Sequence, residues 1–230
     1  MKKLFLMVNA IMLTFILIFD VYYMVRGGLF FKAVASIMFV VAGVINLTYC
    51  IKEKMNLKFP IWMIVALIWA MLGDILLLFN FYLGVVTFAV AHIFYFVSYC
   101  MFEKINGRDF LCGIIISVIT LPIILFTPFL NFESALMQGV CCAYAIIISL
   151  MVGKAISNLL KENNIVNMII VIGSVLFFIS DFMLMLSLFG DISVASYLCL
   201  GTYYPAQFLL AFSLFVYASI NFLRQRKGMV

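Results

Sequence analysis

Two aspartates stand inside long apolar segments, where ionisable side chains are rare. Asp74 lies in the run 59–79 and Asp181 in the run 165–189, and each follows a small residue and precedes a stretch of large apolar ones. A charged side chain near the bilayer centre costs roughly 2.5–3.5 kcal/mol on insertion scales. Carboxylates therefore persist there when they face a polar interior, where they typically move protons or bind cations.

Other polar residues lie deep in neighbouring apolar segments. His92 and Tyr95 share one helical face at i, i+3 spacing, and Tyr203 and Gln207 share another at i, i+4 spacing. Counting about 1.5 Å per residue across a core of roughly 30 Å places His92 and Tyr203 at a depth similar to that of the aspartates. Each of these side chains, like Asn46 further upstream, is equally consistent with a hydrogen bond between helices. Two aspartates in matching contexts favour a functional pair instead.

The composition determines which elements must position these residues. The chain has 230 residues, of which 68% are hydrophobic and 10% charged, with a mean hydropathy of +1.29. That leaves too little polar surface to coat a soluble globule, so the sequence predicts an all-α, polytopic membrane protein with a single integral-membrane domain over residues 1–230. A span needs about 20 apolar residues, and eight are expected, at 4–24, 33–51, 59–79, 82–102, 110–130, 134–153, 165–189 and 193–222.

The basic residues predict the orientation of these spans. Of the 14 lysines and arginines, all but Arg26 and Lys32 fall on one side of an eight-span arrangement. The positive-inside rule therefore predicts that both termini are cytoplasmic. The expected location of this multi-pass protein is a bacterial-type inner membrane. The net charge of +5 follows from this topology and does not indicate nucleic-acid binding.

The metal-ligand residues predict no cofactor. The chain has one histidine and six cysteines, with no Cys-x-x-Cys spacing. Counting therefore excludes a multi-histidine metal centre, and neither a zinc site nor a disulfide framework is expected. A hard cation such as magnesium, held by the aspartates and water, is a less favoured alternative.

The two aspartate segments resemble each other in context. Each leads through a short turn into a helix with central polar residues, and about half the chain separates the two. The two segments are the third and seventh predicted spans, four helices apart, so the two copies would share an orientation in the membrane. This pattern suggests a 4+4 parallel internal repeat.

Four short motifs occur at defined spacing along most of the chain. They are Gly73-Asp74 with Leu76-Leu77; Leu83-Gly84 with Phe88, Ala91-His92 and Tyr95; Gly173 with Phe177 and Ser180-Asp181; and Thr202-Tyr203-Tyr204 with Ala206-Gln207. In their order and spacing these motifs resemble the YhhN-like lysoplasmalogenase family. In one respect the sequence departs from the family pattern, because Lys32 is followed by Ala33 where members often have Lys-Pro.

The resemblance implies hydrolysis of the vinyl ether bond of lysoplasmalogens, which gives a fatty aldehyde and a glycerophospho-choline or -ethanolamine. Protonation of the alkene carbon remote from oxygen creates an oxocarbenium ion, and water then adds to it. Such a reaction needs a proton donor and a stabilising anion or base, roles that two carboxylates divide in glycosidases. We expect Asp74 and Asp181 to form this acid and base pair, in an order that the sequence leaves open.

The same resemblance implies roles for the surrounding polar residues, with the lysophospholipid and membrane lipids as partners. Arg26 and Lys32 lie on the side where the aspartates are shallowest, so either is a candidate for binding the lipid phosphate, although both are equally consistent with ordinary loop charges. The side chains expected to orient substrate or water are His92, Tyr95, Tyr203, Tyr204, Gln207 and Asn46.

Two alternatives come from other classes of protein. Paired intramembrane aspartates and a 4+4 repeat are also typical of a small-molecule or proton-coupled transporter. Against this, no helix is strongly interrupted by paired Gly and Pro near the aspartates. A structural scaffold would leave the buried carboxylates unexplained.

Overall fold

The computed structural model describes residues 2–226, with side chains described as far as residue 220. The part of the chain that it covers is all-helical, and each of its eight helices is long and apolar enough to cross a membrane, which confirms the predicted fold class. Lys227, and the side chains of Arg224 and Arg226, lie outside the described residues. The helices are α1 (Lys2–Arg26), α2 (Leu29–Lys52), α3 (Lys58–Leu76), α4 (Phe81–Phe102), α5 (Gly107–Phe126), α6 (Ala135–Lys161), α7 (Ile165–Phe189) and α8 (Ser193–Arg226).

Polar caps determine where several of these helices begin. Asn80, Asn106, Ser134 and Asn164 precede α4, α5, α6 and α7, and each side chain accepts a hydrogen bond from a backbone N–H in the first turn. Such caps satisfy N–H groups that the helix itself leaves without a partner. They fix short connections, so consecutive helices alternate in direction. We call the end of the bundle formed by loops 27–28, 77–80, 127–134 and 190–192 the distal end.

Helix α6 is longer than the sequence predicts. The expected end at residue 153 is wrong, because α6 continues to Lys161. The reason lies in Lys154, the first residue after the predicted span, which is fully buried. Its ammonium group donates to Asp109 at 2.8 Å and to the carbonyl of Lys104 at 3.0 Å. A lysine with these partners can stay inside the bundle, since its charge is paired and hydrogen-bonded.

Helices α5 and α6 approach each other unusually closely. A Cβ atom built on Gly153 would lie 2.3 Å from the backbone nitrogen of Gly113. Small residues allow this kind of backbone contact between membrane helices. Within residues 2–226, α5 packs its backbone closely on α6 alone. Helix α5 therefore flanks the bundle as an attachment to α6.

Four of the remaining helices surround α8. Helix α8 packs against α1, α2, α3 and α7, and α4 packs against α3 and α6. The backbones of α4 and α7 do not pack directly within the described part of the chain, so side chains fill the space between them. Helix contacts in one half of the chain have counterparts in the other half. For example, a shift of four helices relates α2 to α6 and α8 to α4, and both α2–α8 and α6–α4 are in contact. This arrangement agrees with a parallel repeat, which stays a prediction.

Candidate functional site

Asp74 is held by three donors on two other helices. Nζ of Lys32 lies 3.0 Å from its Oδ1, and both side chains are about 5% exposed. The hydroxyls of Ser36 and Tyr204 donate to its Oδ2 at 2.5 and 2.9 Å. Hydrogen bonds from an ammonium group and two hydroxyls stabilise a negative charge. Asp74 is therefore held as a carboxylate by α2 and α8.

Asp181 has a different environment. Its Oδ2 lies 2.5 Å from the hydroxyl of Tyr144 on α6 and 3.2 Å from Nε2 of His92 on α4. The hydroxyl of Tyr144 is also 2.7 Å from the same Nε2. The side chain is 10% exposed, twice the value for Asp74. Asp181, Tyr144 and His92 thus form one hydrogen-bonded group with no lysine or arginine in it.

Both aspartates line one cavity near the distal end. This polar cavity has a volume of about 140 Å³ and is bounded by Lys32, Asp74, Ser180, Asp181 and Tyr203, among others. The two carboxylates therefore face a shared space, as their matching depth predicts. A space of this size holds several water molecules or part of a small polar ligand.

The aromatic rings of Phe88 and Tyr203 line the cavity. Phe177 lies behind this wall, where it packs edge-on against Tyr203 at 5.4 Å between centroids and lies 4.6 Å from the ring of His92. Phe88 also packs edge-on against Tyr203, and the Tyr203 hydroxyl donates to the carbonyl of Ala70 at 3.2 Å. Because that hydroxyl is already used, Tyr203 contributes its ring to the cavity wall.

Three of the predicted orienting residues lie away from the cavity. Tyr95 and Gln207 bond to each other at 2.6 Å in a fully buried layer beyond Phe177. Asn46 exchanges hydrogen bonds with Asn9 on α1 and donates to the carbonyl of Ala211. These contacts join helices, which is the alternative interpretation of such residues.

The two cations of the distal end differ in position. Arg26 is the last residue of α1, is exposed, and does not line the polar cavity. Lys32 lies inside α2 and is 5% exposed, so it is not a loop charge. Lys32 is a buried cation in the first turn of α2, and it neutralises the charge of Asp74. Asp181 keeps no such partner among the described residues.

Sequence reasoning missed two residues of the site. Tyr144 is the only tyrosine in α6. Ser36 follows Lys32 at i, i+4 spacing, so Lys32 and Ser36 lie on the same face of α2, which packs toward α3. Asp20 on α1 is also buried, at 2% exposed, and its Oδ1 has no hydrogen-bond partner within residues 2–220, but it does not line the polar cavity. Isolated polar residues in apolar helices were the available signal.

Comparison with known proteins identifies the family of the chain. The chain matches the YhhN family over residues 27–214. It belongs to the YhhN family. The matched range includes every side chain that lines the polar cavity of this YhhN protein except Tyr23. Neither a curated protein nor a solved structure matches the chain.

The YhhN site combines two carboxylates of different character. Asp74 is paired with a lysine, whereas Asp181 is bonded to two side chains that can each give or take a proton. Two titratable groups in contrasting environments are typical of a divided acid and base assignment. The arrangement of the YhhN protein is therefore able to supply a proton at Asp181 while keeping a charge at Asp74.

Proposed function

We propose that this protein hydrolyses the vinyl ether bond of a lysoplasmalogen. The observation that carries the proposal is the single cavity that Asp74, Asp181 and Lys32 share inside an apolar bundle. The reaction needs a proton donor, a stabilising anion and water, and a lipid substrate also brings a phosphate. The membership in the YhhN family supports the same reaction.

The hydrogen-bond pattern around His92 supports Asp181 as the proton donor. Nδ1 of His92 lies 3.4 Å from the sulfur of Met151, which is a weak acceptor and cannot donate. Nδ1 is therefore the N–H of the ring. If the imidazole is neutral, Nε2 accepts from Tyr144, and the oxygen of Tyr144 accepts from a protonated Asp181.

The alternative state of the same group carries the same number of protons. If the imidazole is charged, both ring nitrogens donate, Tyr144 donates to Asp181, and Asp181 is a carboxylate. In either state every buried donor and acceptor of the group has a partner, and the group has no net charge. With Nδ1 protonated, a neutral His92 beside a charged Asp181 would leave either Nε2 or Oδ2 of Asp181 without a donor, because Tyr144 has one proton to give. The group thus stores one proton beside the cavity.

In the proposed mechanism this proton is given to the alkene carbon remote from oxygen. The Asp181 carboxylate formed accepts from Tyr144, while the oxocarbenium ion is stabilised by the charge held at Asp74. Water adds to the carbon bonded to oxygen, and its released proton returns to Asp181. The hemiacetal then collapses, moving its hydroxyl proton to the glycerol oxygen and releasing the aldehyde. Protons balance over the cycle.

Lys32 is proposed to bind the phosphate as well as Asp74. An ammonium group has three N–H donors, and Asp74 takes one of them. Since Lys32 lines the cavity, a second donor is available to a ligand there. A phosphate at this point would share the lysine and leave more of the Asp74 charge to balance the oxocarbenium ion.

The decisive experiment uses purified protein in detergent, without a membrane gradient. Aldehyde release should occur from a 1-alkenyl lysophospholipid and not from the matching 1-alkyl lipid, whose saturated ether cannot be protonated at carbon. A positioned acid contributes about 10²–10⁴-fold, so Asp181→Asn should lose at least about 100-fold. Asp74→Asn should also be severely impaired. No turnover of the alkenyl lipid, or near-normal activity in Asp181→Asn, would refute the proposal.

A matched pair of tyrosine variants tests the hydrogen-bonded group. Tyr144→Phe removes the hydroxyl between Asp181 and His92, and should lower kcat and change its pH profile. Tyr99→Phe removes a buried hydroxyl that bonds to Ser174 at 2.8 Å, away from the cavity, and should keep both. Equal effects would mean that Tyr144 acts only through packing. Turnover in detergent would also exclude an obligate transporter.

A further inference from the structure

A second cavity begins on the other side of Asp181. This apolar cleft lies between α4, α5, α6 and α7 and has a volume of about 70 Å³. Phe88, Asp181 and Leu184 line both the cleft and the polar cavity. The two spaces are therefore neighbours that share one wall.

Beyond that wall the cleft presents almost only hydrocarbon. Its other polar side chains have their hydroxyls engaged, since Thr120 bonds to the carbonyl of Ile116 and Tyr144 to the Asp181 group. Apolar side chains complete the lining, among them Val85, Ile124, Ala145, Ile148, Phe182 and Met185. Only an apolar ligand can leave water for such a surface without losing hydrogen bonds.

An aromatic cluster closes the distal end of the cleft. Phe189 packs edge-on against Phe81 at 5.6 Å between centroids and lies 4.6 Å from Phe132 of the loop 127–134. The backbone N–H of Asn131 donates to the carbonyl of Phe189, which holds this loop in place. From Asp181 to Phe189 the cleft follows about two turns of α7, roughly 12 Å.

The geometry points to this cleft as the binding site for the hydrocarbon chain of a single-chain ether lipid. Lys32 and the polar cavity lie on one side of the shared wall, and the hydrocarbon surface lies on the other. A ligand that spans the wall must be charged at one end and apolar at the other, with its reacting bond beside Asp181. This inference rests on the proposed function and adds the location of the chain. The cleft takes the carbons next to the vinyl ether, and α5 forms its outer side.

Filling the cleft provides the first test. Ala145 on α6 lines the cleft and is 5% exposed, whereas Ala143 on the same helix is exposed and lies outside it. Ala145→Phe should raise KM for a long-chain alkenyl lysolipid by about tenfold or more, since buried CH₂ groups are lost from the contact. The KM for a three-carbon alkenyl analogue should change little. Ala143→Phe should leave both values unchanged.

Protection of a native cysteine provides a second test that does not depend on turnover. Cys141 lines the cleft and Cys112 on α5 does not, and both are free thiols. In variants that keep one of these cysteines, a saturated 1-alkyl lysophospholipid should slow maleimide labelling of Cys141 and leave that of Cys112 unchanged. This readout remains decisive if Ala145→Phe fails to fold.

The outcomes separate the inference from the proposed function. Aldehyde release with no protection of Cys141 would overturn the chain site and leave the reaction intact. Protection of Cys141 without aldehyde release would support the site and refute the reaction. An equal loss on long and short substrates in Ala145→Phe, together with unprotected Cys141, would show that the cleft serves packing alone.

Discussion

Removing the charge of Lys32 should destabilise the protein far more than removing an exposed lysine. Its ion pair with Asp74 joins α2 to α3 at 3.0 Å, with side chains 6% and 5% exposed. At an effective dielectric constant of about 20, the Coulomb energy at this distance is roughly 5–6 kcal/mol. Breaking a buried pair on one side leaves an uncompensated charge and costs about 3–5 kcal/mol. We therefore expect Lys32→Met to lower the free energy of unfolding by about 3–5 kcal/mol.

Adding Asp74→Asn to Lys32→Met should restore most of the lost stability. Lys32→Met combined with Asp74→Asn leaves no buried charge, and neutral replacements of buried pairs are often tolerated. The double variant should therefore be more stable than Lys32→Met alone, yet inactive. Lys161 pairs with Glu103 but is 53% exposed, so Lys161→Met should cost less than about 1 kcal/mol.

The measurement is equilibrium unfolding of the purified protein in mixed micelles, followed by circular dichroism. If Lys32→Met were as stable as the wild type, or if the double variant were no more stable than Lys32→Met, the ion pair would not be what holds the charge of Asp74. The proposed division between the two aspartates would then lose its structural basis.

Two further predictions concern topology and helix packing. In a variant without native cysteines, a cysteine at Asn80 should react with an impermeant reagent in intact cells, while one at Asn163 should need permeabilisation, and the reverse pattern would contradict the predicted orientation. Gly153→Ala should destabilise the protein by about 1–3 kcal/mol, because its Cβ would clash with the backbone of Gly113. Gly139→Ala, which meets open space on the same helix, should be neutral or slightly stabilising in the same unfolding assay.

The sequence alone predicts the eight helices and the two principal carboxylates because both depend on local properties. Apolar length identifies each span, and the energetic cost of Asp74 and Asp181 in such spans marks them as unusual. The boundaries of α6 were harder to predict, since hydropathy counts Lys154 as a polar residue. Only the contact with Asp109 on a neighbouring helix explains why it is buried.

Which helices become neighbours is not a local property, and this limited the prediction of the site. Spacing correctly places Tyr95 and His92 on one face of α4 but does not show that Gln207 and Asp181 are their respective partners. For the same reason Tyr144 was not selected, although it is the nearest hydroxyl to Asp181. Helix periodicity determines a direction, and tertiary packing determines what lies there.

The order of the partners along the chain bears on how the protein enters the membrane. Lys32 and Ser36 are synthesised before Asp74, and His92 and Tyr144 are synthesised before Asp181. Each aspartate therefore emerges from the ribosome after side chains that can neutralise or solvate it. Since domains generally fold from the N-terminus during synthesis, the α2–α3 hairpin can carry its own counter-ion into the bilayer and lower the insertion cost of roughly 2.5–3.5 kcal/mol. A circular permutation that placed α2 after α3 would remove this advantage while preserving every contact of the finished bundle.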